Sequence, residues 1–466
     1  MLLILFAACN STNMEDEAPE NPEFPFIRFT LDGLTSGKAY LYGTYMDQQF
    51  IADSSEIDPN GQIKFQREMP YPSGHYYLTL PGQPPLQLLL TNDQSIHFSA
   101  NILDPIRSIK VEGSLENELL YRDLTFNLEI QPKMIDINQK LRNTPRNSQE
   151  YLQINEDLFV LLEEQKSHEE KILAEHPESF FAKFKRASRN PPLPDVRKPD
   201  GSIDNEKQVI LFRNQYWDEV DFSDSRLLRT NVIANKLNTY MTQLTIQHAD
   251  SINKSASSLI DKVLNYPAYY AFFLDWITGH YDVARTTIMD PDAVFHYMIT
   301  NYLTYERVTW LDSAEIFALQ IRAADMAKSL VGNKAPDIRA KDPSGKFRSI
   351  SEITSPYIIV FLYNPTCDHC IEETPKLLEF HREWKSKGVE VFAVAIETEE
   401  ADWLDFINQN QTQRWINVFD PTNQVLYRTY YIDKTPEIYV LNPDRIIIAK
   451  NLKVHQIEPV IRQHEL

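Results

Sequence analysis

Two of the chain's three cysteines, Cys367 and Cys370, stand in the stretch FLYNPTCDHCIEETP with two residues between them. A pair so spaced can hold a metal, close a small loop, or pass electrons between dithiol and disulfide. Zinc needs about four ligands, usually from two such pairs or from a pair with suitably spaced histidines. No second pair exists; His369 is constrained by lying between the cysteines, and His381 lies well down the following segment. A disulfide framework fails on the odd count, because pairing Cys9 with either cysteine orphans the other. The redox reading instead demands a context, in which a buried strand ends and a helix begins at the first cysteine. IIVFLY supplies the strand, and CIEETPKLLEFHREWKSKG an amphipathic helix. Cys367 then meets the unpaired N–H groups and the positive dipole end of that helix, which favour a thiolate. Cys370, one turn on and less exposed, is placed to resolve a mixed disulfide. The intervening residues pull in opposite directions. Protonated His369 stabilises the Cys367 thiolate and makes the pair more oxidising, whereas Asp368 opposes it. The sequence therefore leaves the redox direction open between reductant, oxidant and isomerase.

The elements around the pair are those of an α/β domain. From Val331 to Leu466, strands are expected at SPYIIVFLYN, VEVFAVAIE, INVFD, PEIYVLN and RIIIAKN. Helices are expected after Cys367, around 400–408, near 424–431 and at the end of the chain. This β-α-β-α-β-β-α order predicts a sheet with helices on both faces.

At 466 residues the chain is too long for one ordinary core, so about two to four domains are expected. Residues 26–113 hold short segments rich in β-branched and aromatic residues, separated by turn signals such as Asp32-Gly33, Asn60-Gly61 and Pro81-Gly82. That pattern predicts a β-sandwich. Its tyrosines, Tyr40, Tyr42, Tyr45, Tyr76 and Tyr77, are placed in packing rather than in a binding face. Residues 114–330 change to helical periodicity, starting from an N-cap at Ser114, and predict a helical bundle. A proline-rich break, SRNPPLPDVRKPDGSID, interrupts it as an exposed loop. The lone histidines His168, His248, His280 and His296 lack metal-ligand spacing. The expected organisation is multidomain: an N-terminal β-sandwich (26–113), a central α-helical bundle (114–330) and a C-terminal α/β domain (331–466).

Three features beyond the cysteine pair carry a family resemblance. Pro375 lies five residues after Cys370, Glu373 lies three after it, and Thr435-Pro436 precedes the strand EIYVL. The opening VGNKAPDIRAKDPSGKFRSISEI adds a fourth. With these, residues 331–466 resemble the thioredoxin fold, and within it the membrane-tethered TlpA/ResA-like thiol–disulfide oxidoreductases of bacterial envelopes. The resemblance implies a catalytic Cys367–Cys370 pair with Glu373 as an acidic neighbour, a helix kinked at Pro375, and a cis-proline loop, Thr435-Pro436, that offers backbone to a client chain. It also implies a preference for disulfide reduction. Two positions depart from the thioredoxin pattern. Phe361 stands six before the first cysteine, where thioredoxin has a buried aspartate, so proton handling for Cys370 falls to Glu373 or water. Thr366 stands where tryptophan usually precedes the first cysteine, which alters the surface shown to a partner.

MLLILFAAC, residues 1–9, resembles the end of a bacterial lipoprotein signal, although it lacks a basic start and has Phe6 where leucine is usual. The resemblance implies lipidation at Cys9, a membrane held through that lipid, and an envelope location facing the periplasm. Residues 10–25, acidic and proline-bearing, then read as a tether. The net charge of −20 argues against a nucleic-acid partner. The expected partners are disulfide-containing client proteins and a membrane electron-donor thiol protein, with no dissociable cofactor and no metal. Analogy with N-terminally extended disulfide isomerases adds a homodimer. Two alternatives stand beside this reading. A peroxidase would need Pro-x-x-x-Thr/Ser-x-x-Cys, but Asn364 stands three before Cys367, and Cys367 itself three before Cys370. A binding protein would use the α/β domain as a scaffold alone.

Overall fold

A computed structural model describes residues 25–465; Cys9 and residues 10–24 of the expected tether lie outside the described residues. By their contacts the described residues form two compact units, one of residues 25–189 with 226–232 and one of residues 190–225 with 233–465.

The first unit begins with β1 (Phe26–Asp32), β2 (Lys38–Tyr45), β3 (Gln48–Glu56), β4 (Gln62–Gln66), β5 (Gly74–Thr79), β6 (Leu86–Leu90), β7 (Ser95–Asn101) and β8 (Lys110–Glu112). These make two four-stranded sheets, ordered β4-β1-β7-β8 and β3-β2-β5-β6. Alternation decides which face is buried. Ile27, Phe29 and Leu31 of β1 point inward beside Ile96, Phe98 and Ala100 of β7. The parallel β1–β7 register sets Phe29 opposite Phe98, and their rings stack at 4.6 Å. Tyr76 is buried, whereas Tyr40, Tyr42, Tyr45 and Tyr77 are half-buried. β3, the polar run QQFIADSSE, gives little strand signal by composition and is held by its full-length pairing with β2. Gly61 must be glycine: a Cβ there would lie 2.1 Å from the Leu31 carbonyl oxygen, and its φ is +71°.

The same unit continues through α1 (Pro105–Ser108), α2 (Leu115–Asn143), α3 (Gln149–Glu175) and α4 (Phe180–Ser188). Ser114 caps α2, as the sequence predicts. Two side chains from its first turn then tie it to neighbouring elements. Asn117 bonds both the N–H and the carbonyl of Leu89, at 2.9 and 2.7 Å, which fastens α2 to β6. Glu116 accepts the N–H groups of Phe180 and Phe181, satisfying donors at the start of α4.

The second unit holds α5 (Asn205–Gln215), α6 (Asn231–Thr242, entered from the first unit), α7 (Ala249–Val263), α8 (Pro267–His280), α9 (Pro291–Tyr302) and α10 (Ser313–Met326). The aromatic run of α8 is buried, including Tyr269, Tyr270, Phe272 and Phe273. The α/β region follows: β9 (Arg339–Lys341), β10 (Phe347–Ser349), β11 (Tyr357–Tyr363), α11 (Asp368–Trp384), β12 (Val389–Ala395), α12 (Glu400–Gln409), β13 (Ile416–Phe419), β14 (Glu437–Leu441), β15 (Ile447–Ala449) and α13 (Ile457–His464). Its seven-stranded sheet runs β10-β9-β13-β12-β11-β14-β15, with β11 parallel to β12 and antiparallel to β14. All seven residues of β11 and of β12 are buried, the mark of a sheet covered on both faces. Ile359, Phe361 and Tyr363 face one apolar cluster, with Leu377 and Trp384 of α11; Ile358, Val360 and Leu362 face the other. The helix expected near 424–431 is a single π turn at Val425–Thr429. Among the described residues, no helix is long and apolar enough to cross a membrane.

Leu377 joins α11 to the sheet from a position of zero exposure. Leu377→Ala is expected to destabilise this region by about 2–5 kcal/mol, through lost transfer energy and a residual cavity. Denaturant unfolding followed by tryptophan fluorescence measures it.

Candidate redox site

β11 emerges from the core at Asn364, and that side chain shapes the turn before the cysteines. Its Oδ1 accepts the N–H and hydroxyl of Thr366, each at 2.8 Å, and its Nδ2 donates to the Glu397 carbonyl at 2.9 Å. The Asn364 carbonyl accepts the N–H of Cys367 at 3.1 Å. Cys367 is consequently the N-cap residue of α11, and its sulfur lies where the helix has N–H groups to spare. Sequence reasoning uses Asn364 only for what it rules out; its shaping role follows the usual turn preference of asparagine.

The two sulfurs occupy different environments. Cys367 is half-buried and Cys370 fully buried, and both are free thiols. The Cys367 Sγ donates to the Thr435 carbonyl at 3.3 Å. Partial burial pushes the Cys367 thiol up, but the backbone N–H of Cys370, the Thr435 side chain, the Cys370 thiol and the backbone N–H of His369 together bring it below its ordinary value. Burial drives Cys370 the other way, up to about 12, against a lowering hydrogen bond at Asn364. Thr435-Pro436 is a cis peptide, and the loop carrying it lies against the first cysteine.

Of the remaining predicted site residues, Asp368 and His369 are exposed on the first turn of α11. Pro375 lies inside α11. Glu373 is half-buried, but its oxygens are engaged away from the sulfurs. One accepts from Lys376 Nζ at 2.8 Å and the other from the Val454 N–H at 3.2 Å. Phe361 fills the position of thioredoxin's buried aspartate with an apolar ring, stacked on Tyr363 at 5.1 Å. The Tyr363 hydroxyl is itself buried. Burial, with the nearby Cys370, pushes that phenol up. His381 pairs with Glu390 at 3.2 Å. Of the helical-region histidines, His168 stacks on Phe126, His280 stacks on Trp276, and His296 bonds the Ala323 carbonyl. His248 is exposed. Among the described residues, no group of three or more His, Cys, Asp or Glu side chains could hold a metal ion.

Directly after the proline, Glu437 is a carboxylate that sequence reasoning misses, because its position in EIYVL marks it only as strand. It is buried, and Asn451 donates a backbone N–H to it at 3.0 Å. Lys450, 1% exposed, lies beside it and forms an ion pair with Asp292. Burial raises Glu437 to about 7; Lys450 and Lys434 lower it and Asp292 raises it. Burial disfavours the Lys450 cation, but Tyr439, Asp292, Glu437 and Asp290 outweigh it and hold the ammonium well above its ordinary value.

The thiol split predicts selective alkylation. Iodoacetamide at neutral pH is expected to modify Cys367 and spare Cys370, with a rate whose pH midpoint lies below that of an ordinary thiol; mass spectrometry of tryptic peptides reads both. Glu437 yields a second prediction. The folded chain keeps its proton up to about pH 7, whereas the unfolded chain releases it near 4.5, so the folded state binds more protons in that window. Stability contributed by this group is therefore full below about pH 4.5 and falls as pH rises towards about 7, by up to about 3 kcal/mol. Glu437→Gln is expected to flatten that part of the pH–stability curve, measured by urea unfolding between pH 5 and 7.5.

Several known proteins are similar to this chain, chiefly over its α/β region. Residues 331–456 match the AhpC/TSA family, and residues 27–120 match a domain of unknown function (DUF4369). The thiol–disulfide oxidoreductase ResA of Bacillus cereus is 23% identical over 127 residues, covering 27% of this chain and 72% of the relative. ResA of Oceanobacillus iheyensis is 27% identical over 139 residues, covering 29% of this chain and 71% of the relative. A thioredoxin-like protein from Bacteroides caccae superposes with a TM-score of 0.50 at 18% identity, covering 59% of this chain and 98% of that one.

Proposed function

Because residues 331–456 belong to the AhpC/TSA family of the thioredoxin fold, with ResA/TlpA-like thiol–disulfide oxidoreductases as homologues, we propose that the chain is an envelope-anchored protein disulfide reductase. The observation that carries this reading is the division of labour between the sulfurs: an accessible Cys367 with a lowered pKa beside a buried Cys370 pushed up to about 12. The Cys367 thiolate attacks one sulfur of a client disulfide. An S–S bond forms between enzyme and client, and the other client sulfur leaves as a thiolate and takes up a proton. Cys370 then gives up its proton and attacks the Cys367 sulfur, releasing the second client thiol. Two electrons and two protons pass to the client, and the enzyme holds a Cys367–Cys370 disulfide. Turnover requires an external dithiol donor, which we assign to a membrane thiol protein.

The burial of Cys370 slows its spontaneous ionisation, so the resolving step depends on the mixed disulfide rearranging the site or on a base. Glu373 on α11 is our candidate, acting through water, since its direct hydrogen bonds go to Lys376 and Val454. Thr435 and Pro436 hold the client strand, and Asp368 and His369, both exposed, tune the potential. Residues 26–113, read as a β-sandwich, and 114–330, read as a helical bundle, serve client choice or homodimer formation. Cys9 carries the lipid, residues 10–25 the tether, and the body faces the periplasm.

Reduction of insulin by dithiothreitol, followed by turbidity, tests the assignment. The full chain is expected to accelerate it, Cys367→Ser to fall to the uncatalysed rate, and Cys370→Ser to accumulate a covalent mixed disulfide. Equal rates for wild type and Cys367→Ser would remove the oxidoreductase reading. A reduction potential of about −270 mV supports a reductase, and one of about −120 mV would reassign the chain as an oxidant.

A further inference from the structure

Several polar contacts join the helical part of the second unit to the α/β region, and those nearest the threonine–proline loop involve one connecting loop. Between α8 and α9 the chain runs through residues 281–290, and polar contacts fix it to the α/β region along its length. Lys434, two residues before the cis-proline, donates Nζ to the Val283 carbonyl at 2.7 Å. Arg322 of α10 bridges Asp433 at 2.8 Å and Asp282 at 3.3 Å, tying the loop's start to the approach of the proline. At the other end, Asn451 donates its side-chain amide to the Ile288 carbonyl at 2.8 Å, while its own N–H goes to Glu437. Asp290, in a left-handed conformation, turns the chain into α9 and accepts the Val331 N–H at 2.7 Å. Early in α9, Asp292 receives the buried Lys450.

Met289 lies within this loop, between the engaged residues Ile288 and Asp290. Its side chain is half-buried against the apolar cluster that contains Cys370, and Cys367 borders the same cluster. Its neighbour Ile288 is tied to Asn451, which is tied to Glu437 beside the proline. Val454, three residues beyond Asn451, bonds Glu373 on α11. Through these contacts the loop lies beside the approach to the proline and beside Asn451, just past the end of β15. Methionine there is apolar and conformationally adaptable, suited to packing on varied side chains.

We propose that Met289 is a specificity-determining residue: it forms a side wall of the client site next to Cys367 and Pro436, and favours disulfides whose cysteine is flanked by an apolar residue. The proposal rests on the reductase reading and adds a client class to it. A polar flanking residue would lose water against the thioether and the surrounding apolar rim without gaining a partner.

The test uses the full chain and two symmetric disulfides of one short peptide, with Leu or Asn beside the cysteine, reduced at the expense of dithiothreitol. The quantity read is the ratio of kcat/KM for the Leu peptide to that for the Asn peptide. Wild type is expected to favour Leu by about tenfold, the scale on which an apolar pocket discriminates. Met289→Leu should retain the ratio, and Met289→Asn should bring it close to one. Should Met289→Asn fail to fold, Met289→Gln, closer in volume, reads the same change. A wild-type ratio of one, or the same ratio in wild type and the polar variants, overturns the inference while leaving the reductase assignment standing. No reduction of either peptide by wild type overturns both.

Discussion

The structure turns on the complete burial of β11. Seven consecutive residues, Tyr357 to Tyr363, lie under apolar layers on both faces, and such a strand has no place for a reactive group along its length. Chemistry can begin only where it leaves the sheet. The parallel alignment of β11 with β12 requires a crossover, and α11 provides it. The end of the central strand and the start of α11 must therefore be adjacent, and a cysteine at that junction receives helix N–H groups as a consequence of topology. Asn364 completes the arrangement by holding the turn tight enough for Cys367 to serve as N-cap.

The same constraint separates the two thiols. A side chain at the N-cap stands outside the helix, whereas one three residues later has turned toward the sheet, so Cys370 enters the cluster of Phe361, Tyr363 and Leu377 while Cys367 stays on its rim. Burial penalises both thiolates, but only Cys367 has enough donors to overcome the penalty. The apolar ring at position 361 sharpens the contrast, since Phe361 cannot take a proton from Cys370. On α11, Glu373 directs its oxygens to Lys376 and Val454.

Much of this was legible in the sequence because it rests on local signals. The strand–cysteine–helix succession, the N-cap at Ser114, the strand segments of residues 331–466 and the threonine–proline loop all follow from short patterns, and each has its element or its cis peptide in the structure. β3 was harder, since QQFIADSSE owes its strand state to pairing with β2 rather than to its own composition. The segment expected to be helical near 424–431 forms only a π turn at Val425–Thr429, where Val, Tyr and Thr are weak helix formers. Glu437 and Asp292 were invisible for a different reason. They are separated by 145 positions, a distance across which no periodicity argument reaches, and only the fold reveals that one buried lysine draws on both. Asn117 and Glu116 show the same limit: the sequence marks them as first-turn residues but not as partners of Leu89 and of Phe180 and Phe181.

Lys450 also explains why helical text and redox fold share one unit. A cation with 1% exposure is tolerable only when compensating charge is fixed around it, and this lysine, just after β15, finds the Asp292 carboxylate on α9, with Glu437 in its own sheet adding negative charge as that carboxyl ionises near pH 7. Removing α9 would leave the ammonium buried with less compensation, next to a carboxyl whose proton affinity depends on it. The α/β region is therefore not electrostatically complete without residues 290–292, and the loop leading to them cannot drift from the proline without breaking the Lys434, Arg322 and Asn451 contacts as well. A shared buried charge thus does what a covalent linker alone cannot: together with the Lys434 and Asn451 contacts it holds the 281–290 loop beside the threonine–proline loop of the α/β region.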